Sequence, residues 1–307
     1  MTEPAGRLER ILRAGHFCVT AEVVPPRSTS AAAVTHQAVS LVGYADAVNV
    51  TDNPTAYAHM SPEAGAALVA QAGLEPTVQL TCRDRNRLGL TSALLGAWTL
   101  GARNLLCLTG DPAHVGDHPE AEAVFDLSVT DLVGLAVGLR ERGELLTGSV
   151  IDEPPRYFVG VADSPLVENY DPTRLEVKLD AGAGFVMTQI VYDVEALEAW
   201  ADQLRSRGVF ERARVIAGIA PLRSAKAARH MNEYLPGVSV PEAIIHALDS
   251  ADDAEAEGIR ITAEIVGRLR EIDGIAGVHV MGLGREGAVE RVIETAGLLP
   301  RPGATSA

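Results

Sequence analysis

The chain has 307 residues, with 26 Lys and Arg against 41 Asp and Glu, a formal charge of −15. That balance argues against a nucleic-acid binder, and 47% hydrophobic with 22% charged residues is the composition of a folded protein with a large core. The longest weakly polar stretch, 88–102, is too short to span a bilayer, and the opening MTEPAGRLER lacks the apolar run of a secretory signal, so a cytoplasmic protein with no membrane partner is expected.

Taken in chain order, short β-rich runs occur at 17–22, 46–50, 76–81, 104–108, 157–161, 185–189, 214–218 and 276–280. Helically spaced apolar residues fill the intervals at 31–41, 62–72, 86–100, 129–140, 173–181, 194–205 and 225–233. Most strand-to-strand steps fit one βα unit. Two are longer: one holds a polar loop at 110–126, and the other holds two further helices near 241–248 and 252–270. Several strands are continuously apolar, as in a parallel sheet covered on both faces. Eight units in this length predict a single α/β domain over 1–307, a (β/α)₈ TIM barrel with extra helices between strands seven and eight and a flexible tail at 301–307. A doubly wound sheet would give the same alternation, but no GxGxxG opens a helix after the first strand.

In such a barrel the reacting groups sit at the C-terminal ends of the strands. Those ends carry Glu22, Thr51, Gln79, Gly110 with Asp111, and Thr188 with Gln189. Together they describe a mouth with carboxylates, amides and hydroxyls and little fixed positive charge. A carboxyl group at the end of a buried strand is desolvated and its pKa rises, which suits Glu22 to general-acid work; a pair with Arg27 is the alternative. Asp111 can face the mouth or cap a turn. Gln189 can read a flat heterocycle or bond to backbone. The eight histidines lack zinc-site spacing, so no metal is expected, and no GxSxG elbow appears. Cys18, Cys82 and Cys107 form no CxxC pair and are expected to be buried and inert.

The strand-end segments AEVVPPR (21–27), VT (50–51), QLTC (79–82), LTGD (108–111), KLDAGA (178–183) and TQIVYD (188–193) occur in the order and on the strands that mark a known family. On them the chain resembles the methylenetetrahydrofolate reductases. VTDNPTA (50–56), RDRNR (83–87) and GDHPE (116–120) look closer to the branch found in acetogens and actinobacteria than to the common enteric-type enzyme. The resemblance implies a (β/α)₈ barrel in one-carbon metabolism that reduces 5,10-methylenetetrahydrofolate with hydride from NAD(P)H through a bound flavin, FAD before FMN. It assigns Glu22 as the acid that opens the folate ring and Asp111 to a place between pterin and flavin. Gln189, with Thr188, would bind the pterin. Thr51, Gln79, Gly110, Phe125 and Ser164 would line the cofactor, and Asp171 and Lys178 would hold its ribityl or phosphate part. The chain departs from the family at Gln79, where a histidine is usual, and at Asp163-Ser164-Pro165, where His-Pro-Glu is common. Those departures keep direct hydride transfer from NAD(P)H, without flavin, as the alternative. A barrel lyase or aldolase would need a strand-end lysine and a clear phosphate loop, for which GLG (282–284) is a faint candidate. A non-catalytic folate-binding barrel would leave the mouth carboxylates without a role.

Overall fold

Strands β1 (Cys18–Val23), β2 (Ala47–Val50), β3 (Pro76–Thr81), β4 (Asn104–Leu108), β5 (Phe158–Asp163), β6 (Phe185–Ile190), β7 (Arg214–Ile219) and β8 (Ile275–Val280) pair in parallel in chain order. β1 also pairs with β8, Cys18 opposite Gly277, which closes the ring. The computed structural model describes residues 3–285 and 287–303. All eight strand expectations are met, most within one or two residues, and the fold is the expected (β/α)₈ barrel.

The expected helices are present as α2 (Ala31–Ser40), α3 (Pro62–Gln71), α4 (Arg87–Thr99), α5 (Val129–Arg142), α6 (Thr173–Asp180), α7 (Val194–Ser206), α8 (Ala225–Tyr234), α9 (Glu242–Ser250) and α10 (Ala254–Leu269). Local chemistry starts many of them. Ser30, Ser61, Asn86, Ser128, Asp193 and Ser224 each accept a backbone N–H from the first turn. Two helices lie outside the expected set, α1 (Arg7–Arg13) and α11 (Ala288–Thr295). α1 has seven residues, four of them charged, yet Leu8, Ile11 and Leu12 share one face and are buried. Glu75 accepts the N–H groups of Arg7 and Leu8 and so satisfies the free donors of its first turn. The helix plugs the N-terminal end of the barrel.

Side chains alternate along each strand. On β1, Val19, Ala21 and Val23 pack toward the helices, and Cys18, Thr20 and Glu22 face the lumen. The bottom of the lumen is apolar: Leu8 and Leu12 of α1 meet Cys18, Leu106, Phe158, Phe185 and Ile216. Phe185 fits because Gly160 lies beneath its ring; a Cβ there would stand 2.2 Å from the ring carbons. Higher up the lumen turns polar. Thr20 Oγ1 lies 2.9 Å from His279 Nδ1, and Asn49 Nδ2 donates to the Met187 sulfur at 3.1 Å. All three cysteines are free and buried, and burial pushes the Cys82 thiol up to about 11.

The chain ends meet at the bottom of the barrel on Asp46, whose side chain is fully enclosed. It accepts from Val19 N–H at 2.9 Å, from Arg7 at 3.1 Å and from the guanidinium of Arg301. Of the tail expected at 301–307, Arg301 is therefore buried and anchored, while residues 304–307 lie outside the described ones. No helix among the described residues is long and apolar enough to cross a membrane.

Candidate active site

The strand ends open onto a mouth cavity of about 420 Å³, lined among others by Glu22, Thr51, Gln79, Gly110, Asp111, Ser164 and Lys178. A deeper cavity of about 170 Å³ shares Glu22, Gln79 and Ser164 and adds Asn49, Asp163, Thr188, Gln189 and His279. The structure thus brings together, on two adjoining cavities, residues from β1 to β6 and the segments that follow them, with His279 of β8.

Glu22 stands where these cavities join. Among the described residues nothing donates a hydrogen bond or an ion pair to it; desolvation alone raises its pKa from 4.5 to about 7. The alternative pairing with Arg27 is not what forms. Arg27 instead pairs with Asp117 and lies over the Tyr57 ring, 4.9 Å from its centroid. A carboxyl group that is half protonated near neutrality can give up a proton there and recover it at little cost.

Asp111 follows Gly110, whose φ of +93° belongs to glycine and whose added Cβ would meet Arg83 Cβ at 2.9 Å. The turn sets Asp111 on the rim, where its Oδ2 accepts the Thr55 N–H at 2.9 Å. Of the two options read from the sequence both hold in part: the residue lines the mouth and also ties down a loop. That loop, 53–56, has left-handed φ at Asn53, Thr55 and Ala56, three non-glycine positions, of which Asn53 and Thr55 are bonded to neighbouring loops. Thr51 Oγ1 is buried and has no hydrogen-bond partner among the described residues. Lys178 Nζ donates to the Ala162 carbonyl at 2.7 Å, and burial pulls its ammonium below the ordinary value.

Gln189 Oε1 accepts the Ile190 N–H at 2.9 Å, while its Nε2 has only a 3.5 Å approach to the Pro236 carbonyl. The amide NH₂ is the end with capacity for a ligand. Thr188 is different. Its hydroxyl donates to the Gln189 carbonyl and accepts the Gly218 N–H at 2.9 Å, filling a break in register between β6 and β7.

Two residues expected at the cofactor line neither cavity. Phe125 is exposed on the loop after β4, with φ of +40° and its N–H on the Cys82 carbonyl, and it does not line either cavity. Asp171 stands two residues before the first residue of α6, accepting the Thr173 N–H at 3.0 Å and its hydroxyl at 2.6 Å. Those bonds hold its carboxyl below the usual range.

Positive charge is richer around the mouth than the strand ends alone suggest. Asp52, buried, accepts from Thr81 N–H and Oγ1 and from Arg85 at 2.7 Å. Arg83, 3% exposed, pairs with Asp84. The run RDRNR signalled charge at this strand end, but not its burial. His279 was also missed; burial lowers its pKa to about 4, so its ring is neutral on the floor of the deeper cavity. No group of three or more His, Cys, Asp or Glu side chains converges as a metal site among the described residues.

Comparison with known proteins adds a family to this geometry. The family profile described as methylenetetrahydrofolate reductase matches residues 7–297. Methylenetetrahydrofolate reductase 1 of Schizosaccharomyces pombe is 29% identical over 238 residues, 74% of this chain and 36% of that protein. The 5,10-methylenetetrahydrofolate reductase of Salmonella typhimurium is 27% identical over 240 residues, 75% of this chain and 73% of that one. The chain therefore spans about a third of the fungal relative and about three quarters of the bacterial one. Among solved structures, an uncharacterized Clostridium thermocellum protein that binds two copies of 5-methyl-5,6,7,8-tetrahydrofolic acid aligns with a TM-score of 0.65 at 14% identity, covering 94% of this chain and 97% of its own. At that identity the likeness is one of fold.

Proposed function

The chain belongs to the methylenetetrahydrofolate reductase family, and from that premise we propose that it reduces the methylene bridge of 5,10-methylenetetrahydrofolate to the methyl group of 5-methyltetrahydrofolate, with a hydride originating on NAD(P)H. The observation that carries the reading is Glu22, an unpaired carboxyl group poised near pH 7 at the junction of the two cavities. Its proton passes to a bridge nitrogen, the carbon–nitrogen bond opens, and the iminium left behind accepts the hydride. One proton and one hydride enter per turnover, and Glu22 regains its proton from solvent. The Gln189 NH₂ binds the pterin edge from the opposite wall. Three free, buried cysteines agree with a reducing cytoplasmic setting. A Caenorhabditis elegans relative, 24% identical over 249 residues, is named a probable NADPH enzyme, which supports a nicotinamide nucleotide as donor.

A flavin, when bound, would carry the hydride between nicotinamide and folate. The mouth fits one in most of its expected contacts. The unpartnered Thr51 hydroxyl offers a buried hydrogen bond, and Gln79, Gly110, Asp111, Ser164 and Lys178 line the same cavity. The positions of Phe125 and Asp171, both outside it, favour a second reading in which NAD(P)H stacks in the mouth and transfers hydride directly. An absorbance spectrum of freshly purified protein and turnover of flavin-stripped protein separate the two. Flavin bands, with activity lost on stripping and restored by FAD or FMN, support the carrier. Full activity without flavin, with deuterium passing from labelled NAD(P)D into the product methyl without washout, supports direct transfer. Absence of turnover under both conditions removes the proposed reaction.

Gln189→Ala is expected to raise the KM for the folate about five- to tenfold with a smaller change in kcat, the scale of one hydrogen bond made in both ground and transition states. Steady-state kinetics at varied folate check it; an unchanged KM takes Gln189 out of the binding site.

A further inference from the structure

Arg83 takes no part in the chemistry above and does not line either cavity, yet its guanidinium is almost wholly buried beneath the rim. Burying a guanidinium is unfavourable unless its donors are satisfied. Here they are satisfied by three different loops. Nε and Nη2 form a fork on Asp84, at 2.6 and 2.7 Å. Nη2 also reaches the Asn53 carbonyl at 3.3 Å, and Nη1 donates to the Asp111 carbonyl at 2.9 Å. The circuit closes on itself. Asn53 is two residues from Thr55, whose N–H donates to Asp111 Oδ2 at 2.9 Å. Asp111 is thus held twice, by its backbone carbonyl from Arg83 and by one carboxylate oxygen from a turn that Arg83 also holds. Its other oxygen, Oδ1, accepts no hydrogen bond among the described residues and is the one available to a ligand. The turn glycine conforms to the same arrangement, since Gly110 packs directly on the Arg83 Cβ.

We infer that Arg83 is the positioning residue for Asp111, setting the direction of its free carboxylate oxygen and the strained 53–56 turn from beneath the mouth. The inference rests on the proposed folate chemistry for its kinetic consequence but not for its structural one. Planar, forked donation is what the geometry uses, so lysine is a poor replacement.

The test is a double-mutant cycle of Arg83→Met with Asp111→Ala, read by 5-methyltetrahydrofolate affinity and by kcat and KM for methylenetetrahydrofolate. Met keeps the bulk and removes the donors. If Arg83 acts through Asp111, Arg83→Met alone lowers kcat/KM about tenfold or more, Arg83→Lys recovers only part of that, and Arg83→Met adds nothing when Asp111 is already Ala. Effects of the two substitutions that multiply independently overturn the inference. A second readout needs no folate: hydrogen exchange at the Thr55 amide is slow in the parent protein and faster in Arg83→Met. Unchanged exchange overturns the positioning role. Faster exchange in a protein whose parent neither binds nor reduces folates keeps the positioning role and discards the proposed reaction. Should Arg83→Met not fold, Asp84→Ala removes the fork that holds the guanidinium from its other side and is read in the same way.

Discussion

Glu22→Gln is expected to lower the rate of methylene reduction by roughly 10²-fold or more, the scale of a general acid, with folate affinity nearly unchanged. The amide keeps the shape of the carboxyl group and cannot supply the ring-opening proton. Stopped-flow single turnover with pre-bound substrate measures the step directly, and near-parental turnover would show that Glu22 is structural. In the parent protein the same step depends on pH in a fixed direction. The protonated form is the acid, so the rate falls as pH rises through about 7. Stability moves the same way. A carboxyl whose folded pKa is raised from 4.5 to about 7 binds more protons folded than unfolded between those values, so the parent loses stability as pH climbs through that window. Glutamine carries no such charge, and the variant is expected to be more stable than the parent at pH 8, by up to about 3 kcal/mol, in urea unfolding. A less stable variant at pH 8 would mean that the carboxylate has a partner in solution.

Asp46→Ala is expected to cost about 3–5 kcal/mol of stability, because it leaves the buried guanidinium of Arg301 uncompensated and removes the acceptor for Val19 N–H. Urea unfolding of the variant gives the number directly. Replacing both partners with apolar residues, Asp46→Leu with Arg301→Met, is expected to cost less than Asp46→Ala alone, since no charge is then stranded. A loss under about 1 kcal/mol for Asp46→Ala would mean that the pair is not closed in solution.

The barrel was legible in the sequence because strands covered on both faces must be apolar and their ends must change character at the mouth. Val78 and Leu80 against Gln79 and Thr81 show both signals within six residues. α1 was not legible, because Arg7, Glu9, Arg10 and Arg13 give its sequence a solvated look; buried Glu9 accepts from the Ala5 N–H, from Arg13 and from Arg140, the last 131 residues away. At the mouth, residues on strands were placed well: Glu22, Thr51 and Gln79 point where alternation sends them. Residues on loops were placed less well. Asp171 finds nearer partners in the N–H and hydroxyl of Thr173, and Phe125 goes where the loop bonds to Cys82 and Arg83 carry it. The role of Arg83 depends on loops after three different strands, and no local spacing encodes their meeting.

Ring closure also fixes when the chemistry can begin. Thr20 and His279, 259 residues apart, meet only when β8 docks on β1, and Asp46 receives Arg301 across 255 positions. Contacts of that span carry the largest loop-closure entropy and are slow to form. A chain emerging from the ribosome can assemble its early βα units, but β1 remains an open edge until the final strand arrives. Glu22 sits on that edge strand. The burial that raises its pKa draws on residues from β1 to β8, so that shift belongs to the completed ring.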